Sequence, residues 1–173
     1  GDVAAWARGR CEEVIRTCRV RAVDGTTLFT PDGVGHYGAL WTRDFAYLVE
    51  HGAELLDRDE VAAAIRVLLA GVRDDGAVPD RVDRHLVPIY HPGGVQAPMG
   101  GGPALDTGMF LVSLVHHHER AWGRSELGLE ALPRLRAALD WVPRNRGLVF
   151  NDAQRPSCTY GFQDTVAKGG HDL

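Results

Sequence analysis

The stretch YGALWTRDFAYLVEHG, Tyr37 to Gly52, decides how the rest of the chain is read. An aromatic ring, a hydroxyl, a guanidinium and a carboxylate stand in a row, Trp41-Thr42-Arg43-Asp44. Directly behind them Phe45, Leu48, Val49, Leu55 and Leu56 recur at helical spacing, which predicts a helix from about Asp44 to Leu56. The binding groups therefore sit at the mouth of a helix, where unpaired backbone N–H groups and the helix dipole favour an anion. A carboxylate at that place has two readings. It can hold a ligand, or it can serve as an N-cap with Arg43 as its surface partner.

Working outward, helical periodicity dominates. A first helix covers Val3 to Cys18 and places Trp6, Val14 and Ile15 among its apolar positions. A third runs from Glu60 to Val72 on Val61, Ile65, Leu68, Leu69 and Val72, and Asp75-Gly76 breaks it. The fourth, Asp106 to Trp122, is apolar nearly all round from Met109 to Val115, as expected of a helix buried on several sides. A fifth, from about Leu127 to Val142, is amphipathic and ends at Pro143 and Gly147. Asp164-Thr165-Val166-Ala167 has the look of a sixth helix start. Between these lie turn-rich segments: residues 19–40, with room for short strand pieces, Gly76 to Pro103, and Gly147 to Gln163.

Asp44, Asp106 and Asp164 each open a helix after a long loop, about sixty positions apart. The recurring order is long loop, carboxylate, inner helix, short turn, amphipathic helix, which suggests stacked helical hairpins. The short turns near Asp57-Arg58-Asp59 and Gly123-Arg124-Ser125 would sit at one end. The long loops, and the N-termini of alternate helices, would gather at the other. The expected fold class is all-α, in one domain over residues 1–173.

Composition narrows the function classes. With 24% charged and 45% hydrophobic residues, the 173-residue chain has the make-up of an ordinary folded domain. Its formal charge is −4, and no basic block is present to track a phosphate backbone, so no nucleic-acid partner is expected. The longest nearly uncharged apolar run, Met109 to Val115, is too short to span a bilayer, and residues 1–14 carry charges where a signal peptide needs an apolar centre. Cys11 and Cys18 lie roughly 10 Å apart along a helix axis, too far to bridge. Three cysteines without a CxxC pair fit free thiols in a reducing, cytoplasmic compartment.

WTRDFAY at the head of the second helix resembles the Trp-Thr-Arg-Asp segment of glucoamylase-like, six-hairpin glycosidases. Leu105-Asp106-Thr107-Gly108 is similar to the Leu-Asp start of that group's fourth helix, and YGFQDTVAKGG falls where such enzymes often carry their general acid. The resemblance spans most of the chain in pattern. It implies an (α/α)6 barrel with the active site at the N-terminal ends of the inner helices. Six hairpins need about 360 residues, so the chain would correspond to the N-terminal half, completed by the missing second half or by another chain. The resemblance further implies an inverting glycoside hydrolase acting on an oligo- or polysaccharide; no cofactor is expected, and the visible motifs require no metal. Arg43 and Asp44 would grip the sugar, Asp106 would add an anionic group, Asp164 would be the general acid, and Trp41 and Tyr160 would shape the pocket. The catalytic base usually lies in the second half, so the 173 residues alone are expected to be inactive.

The residue chemistry can be set beside that expectation. Sugar hydroxyls both donate and accept, so an adjacent guanidinium and carboxylate can hold neighbouring hydroxyls. Glycoside cleavage needs a protonated carboxyl beside the leaving oxygen and a second carboxylate opposite. At Asp164 a helix N-terminus lowers the pKa, so burial by Tyr160 and Phe162, or a nearby anion such as Asp152, must outweigh the dipole. The N-cap reading of Asp106 and Asp164 stays open, and Lys168 stands at ion-pair spacing from Asp164. Aromatic faces stack on pyranose C–H faces; Phe29, Tyr37, Trp41, Tyr90, Tyr160 and Phe162 lie in the loops, with Phe29 assigned to loop packing. VPDRVDRH, Val78 to His85, could line outer subsites but reads mainly as a solvated loop. His116-His117-His118 cannot share one ion, because consecutive helical side chains point about 100° apart. GGVQAPMGGGP lacks the Lys-Ser/Thr of a phosphate loop. Two rival functions remain: a glycoside phosphorylase on the same fold, which needs an anion site, and a non-catalytic helical-repeat binding module. A polyprenyl-binding toroid is disfavoured, since Asp74-Asp75 is an isolated acidic pair.

Overall fold

The protein, studied as a computed structural model, is described over residues 2–98, 103–104, 106–141, 144–145, 148–151 and 171–172. In chain order these contain α1 (Val3–Thr17), β1 (Arg19–Arg21), β2 (Thr27–Phe29), β3 (Ala39–Trp41), α2 (Thr42–Gly52), a 3₁₀ turn (Ala53–Leu55) and α3 (Arg58–Ala70). There follow β4 (Arg81–Asp83), β5 (Pro88–Ile89), β6 (Gly93–Gly94), β7 (Ala97–Pro98), α4 (Thr107–Trp122), α5 (Glu126–Trp141), β8 (Arg144–Asn145), β9 (Leu148–Asn151) and β10 (His171–Asp172). Side-chain caps fix two of the helix starts. The Asp2 carboxylate accepts from the N–H groups of Ala4 and Ala5, and Asp57 does the same for Asp59 and Glu60.

The all-α expectation is overturned, and with it the partial (α/α)6 ring of three helical hairpins. The fold is mixed α/β. Among the described residues the turn-rich segments pair into four small antiparallel sheets: β1-β2, β3-β4-β5, β6-β7 and β8-β9-β10. The registers Val20↔Leu28, Leu40↔Val82 and Val82↔Pro88 set the first two sheets. The physical reason is that backbone donors and acceptors passing over a core need partners. Strands of two to four residues supply them while leaving almost no alternation for a sequence pattern to reveal.

α4 packs against α2, α3 and α5. Its Leu111, Leu114 and Val115 join Phe45, Val49, Ile65 and Leu68 in one apolar cluster, to which β2 adds Leu28 and Phe29. The Phe29 ring stacks on Phe45 at 5.3 Å and 10°. Each such fully buried side chain contributes about 1.5–3 kcal/mol. Burial of α4 is incomplete on one side, since Met109 remains 39% exposed.

α2 and α4 run parallel. Arg43 stands 3.6 Å from Asp106, the Tyr47 ring meets Phe110 edge-on at 5.4 Å, and Glu50 lies 3.7 Å from His117. Their N-termini therefore lie side by side. The turn after α3 is docked on α5 through Gly76, which has a φ of 94° and faces the Ala137 carbonyl so closely that a Cβ would collide with it. α1 is the outlier. Only Ile15 of its residues is buried, together with Cys18 at its C-cap. No helix among the described residues is long and apolar enough to cross a membrane.

Candidate functional site

The two parallel helix mouths are tied to one stretch of backbone. Both α2 and α4 begin with threonine. The Thr42 hydroxyl donates to the Pro79 carbonyl at 2.6 Å, and the Thr42 N–H donates to Asp80 O at 2.9 Å. The Thr107 hydroxyl lies within hydrogen-bond distance of Ala104 O (3.1 Å) and Val78 O (3.3 Å). The lead-in to β4 is thereby threaded across both helix starts, and Val78, Asp80, Arg81 and Val82 are buried. This corrects the solvated-loop reading of that segment. Only its far end, at Arg84 and His85, is exposed.

Arg81 joins three walls. It is the cross-strand partner of Trp41, which places its guanidinium 4.5 Å from the centre of the Trp41 ring. It donates to Asp80 Oδ2 at 2.8 Å, to His91 O at 3.2 Å and to Gly93 O at 2.5 Å. Burial pushes the Asp80 carboxyl above its ordinary range. The Arg81 hydrogen bond and charge, and Arg43 nearby, act against that, while Asp106 adds to it.

Asp106 occupies the N-cap position of α4, yet its side chain makes no capping hydrogen bond. It is 2% exposed and faces Arg43, whose guanidinium also lies 5.8 Å from the Phe110 ring centre. Arg43 also borders a cleft of about 500 Å³, with Tyr37, Trp41, Asp80, Arg81 and the turn at Pro92–Gly94 on its other walls. That volume lies within the range of small-molecule sites.

The expected residues are distributed unevenly about this cleft. Trp41 and Arg43 line it, and Asp106 contacts Arg43. Asp44 does not share that wall. It is exposed, and it borders a separate hollow of about 300 Å³ with Val14, Cys18 and Phe45. Neighbouring helical side chains diverge by about 100°, so Arg43 and Asp44 point to different places. The guanidinium–carboxylate pair inside the cleft is instead Arg81 with Asp80. Its sequence signal was a charged pair between apolar neighbours, Ala77-Val78 before and Val82 after, inside a loop. Asp164 and Tyr160, with Asp152, Phe162 and Lys168, lie outside the described residues.

The histidine run diverges as helix geometry requires. His116 is exposed, His117 lies 3.1 Å from Ser113 Oγ, and His118 is buried against Trp122. Among the described residues no three His, Cys, Asp or Glu side chains converge as metal ligands. Tyr90 is spent on structure, donating its hydroxyl to Gly71 O at 2.8 Å. No family model matches this chain, and no curated protein or solved structure matches it either.

Proposed function

We propose that the chain serves a glycoside hydrolase and holds a neutral saccharide in the cleft between the mouth of α2 and the start of β4. The observation that carries this reading is the meeting of Arg43 and Asp106 at two parallel helix N-termini, beside a cleft walled by Trp41 and the Asp80–Arg81 pair. Such a wall offers hydroxyl donors, hydroxyl acceptors and aromatic surface together. The WTRD resemblance to six-hairpin glycosidases supports the same reading from the sequence side. In this scheme Arg43 and Asp80 bind hydroxyls, and Asp106 holds Arg43 in place. Asp164 is assigned the delivery of the proton to the leaving oxygen, and Tyr160 a part in substrate binding. The opposing base comes from another segment or a partner chain. Free thiols at Cys11 and Cys18 suit a cytoplasmic setting.

Titration of the chain with α-1,4- and β-1,4-linked glucose tetrasaccharides tests the binding part. Saturable binding that falls about tenfold or more in Arg43→Ala supports it. Cleavage is tested by chromatography of the same sugars with the segment or partner chain that supplies the base present, comparing the protein with its Asp164→Asn variant. Loss of hydrolysis with binding retained fits the assigned role. Binding without cleavage in either protein favours a non-catalytic module.

A further inference from the structure

We propose that the outer face of α5 is a dimer interface, on which a second copy of the chain lays its own α5 in the opposite direction. The inner side of α5 is taken up by the body of the molecule. Leu127, Ala131 and Ala138 are buried, Glu130 lies 3.1 Å from Arg66, and Arg134 donates to Val72 O at 2.6 Å. The outer side is different. Leu129 and Leu132 stand 72% and 57% exposed. They border a groove of about 790 Å³ shared with Val112 and Val115 of α4 and with Leu135. A helix whose packing ended here would carry polar side chains on that side.

Charge identifies the occupant. Glu126 is exposed in the first turn of α5, and Arg136 is exposed about 15 Å further along the axis. Leu129 and Leu132 lie between them on the same side of the helix. A copy laid antiparallel sets Glu126 against the partner's Arg136, and Arg136 against the partner's Glu126, with the leucines packed between. Arg124, just before α5, and Asp140, near its end, repeat the match with the signs reversed. Within one chain Asp140 lies 3.9 Å from Arg136, an exposed contact of little strength that leaves both side chains accessible to a partner. A copy laid parallel would oppose like charges at both ends. The antiparallel pair is closed by a two-fold axis, so it stops at two chains.

Sedimentation equilibrium of the 173-residue chain, from about 5 to 500 µM, tests the interface. The expected result is a reversible monomer–dimer equilibrium with a Kd of roughly 10–100 µM, since one helix pair lies at the small end of specific interfaces. Leu129→Asp should raise that Kd about tenfold or more while leaving the urea midpoint of the exposed site nearly unchanged. Glu126→Arg and Arg136→Glu should each weaken association roughly fivefold or more. An equimolar mixture of these two variants should associate like the wild type, because every charge then meets its opposite again. A mere loss of folding in either variant gives no such rescue. A chain that stays monomeric up to about 500 µM overturns the proposal and assigns the groove to a different occupant. A dimer indifferent to Leu129→Asp, or a mixture that fails to associate, overturns it as well.

Discussion

At the scale of single residues, the Asp80–Arg81 pair is the most exacting feature, because its side chains are only 6% and 7% exposed. Removing one partner strands the other charge in the interior. Arg81→Ala is expected to cost about 3–5 kcal/mol in urea unfolding. Arg81→Lys restores the charge but not the flat guanidinium over Trp41, and should recover only part of that loss. A change within about 0.5 kcal/mol for Arg81→Ala contradicts the keystone role. His118 supplies a pH prediction. Burial holds its imidazole below the ordinary range, Glu119 acting against that from 3.7 Å, longer than a hydrogen bond. The native state thus prefers neutral His118, whereas the unfolded chain takes up a proton near about pH 6.5. The stability from this group is complete above that pH and is lost as the pH falls from there towards the native pKa. His117, lowered by its own burial, acts in the same direction. Urea unfolding should show roughly 1 kcal/mol less stability at about pH 5.5 than at about pH 7.5, with a shallower dependence in His118→Leu.

At the scale of elements, Thr42 links three things: the start of α2, the lead-in to β4 and the wall of the cleft. Thr42→Val keeps the shape but deprives the buried Pro79 carbonyl of its donor, for an expected cost of about 1–3 kcal/mol. It should weaken saccharide binding beyond what lost stability explains, which calorimetry checks well below the unfolding midpoint. Gly76→Ala combines a left-handed φ with a collision at the α5 backbone, and is expected to lower stability by about 2 kcal/mol or more. The helices were legible because 11 to 16 residues give several turns of periodicity. Their ends shifted by a few residues, and α2 starts before Asp44 rather than at it. The strands were not legible. Strands of two to four residues barely display an alternation, and β3 meets its partner β4 only beyond α2 and α3. The same limit hid Asp80 and Arg81. Loop composition reads as solvent-facing until two helix N-termini are seen to bind that backbone.

At the scale of the whole molecule, the sequence located one side of the cleft, Trp41 and Arg43, and the proximity of Asp106 at a second helix mouth. It could not separate Arg43 from Asp44, because that depends on where a helix begins to within one residue. The thiols provide a global probe. Cys11 is exposed, while Cys18 is buried and burial raises its pKa. In a Cys158→Ser background, a thiol reagent should modify Cys11 within the mixing time and Cys18 only as fast as the native state opens. Equal rates would contradict the burial of Cys18. That same residue also marks the hold of the body on α1. A fifteen-residue helix that sinks little more than Ile15 and Cys18 into the rest has a small share of the cooperative energy. Amides of its N-terminal half should exchange with deuterium at a free energy far below that of α4. The protein would then breathe by shedding α1 while the cleft stays assembled.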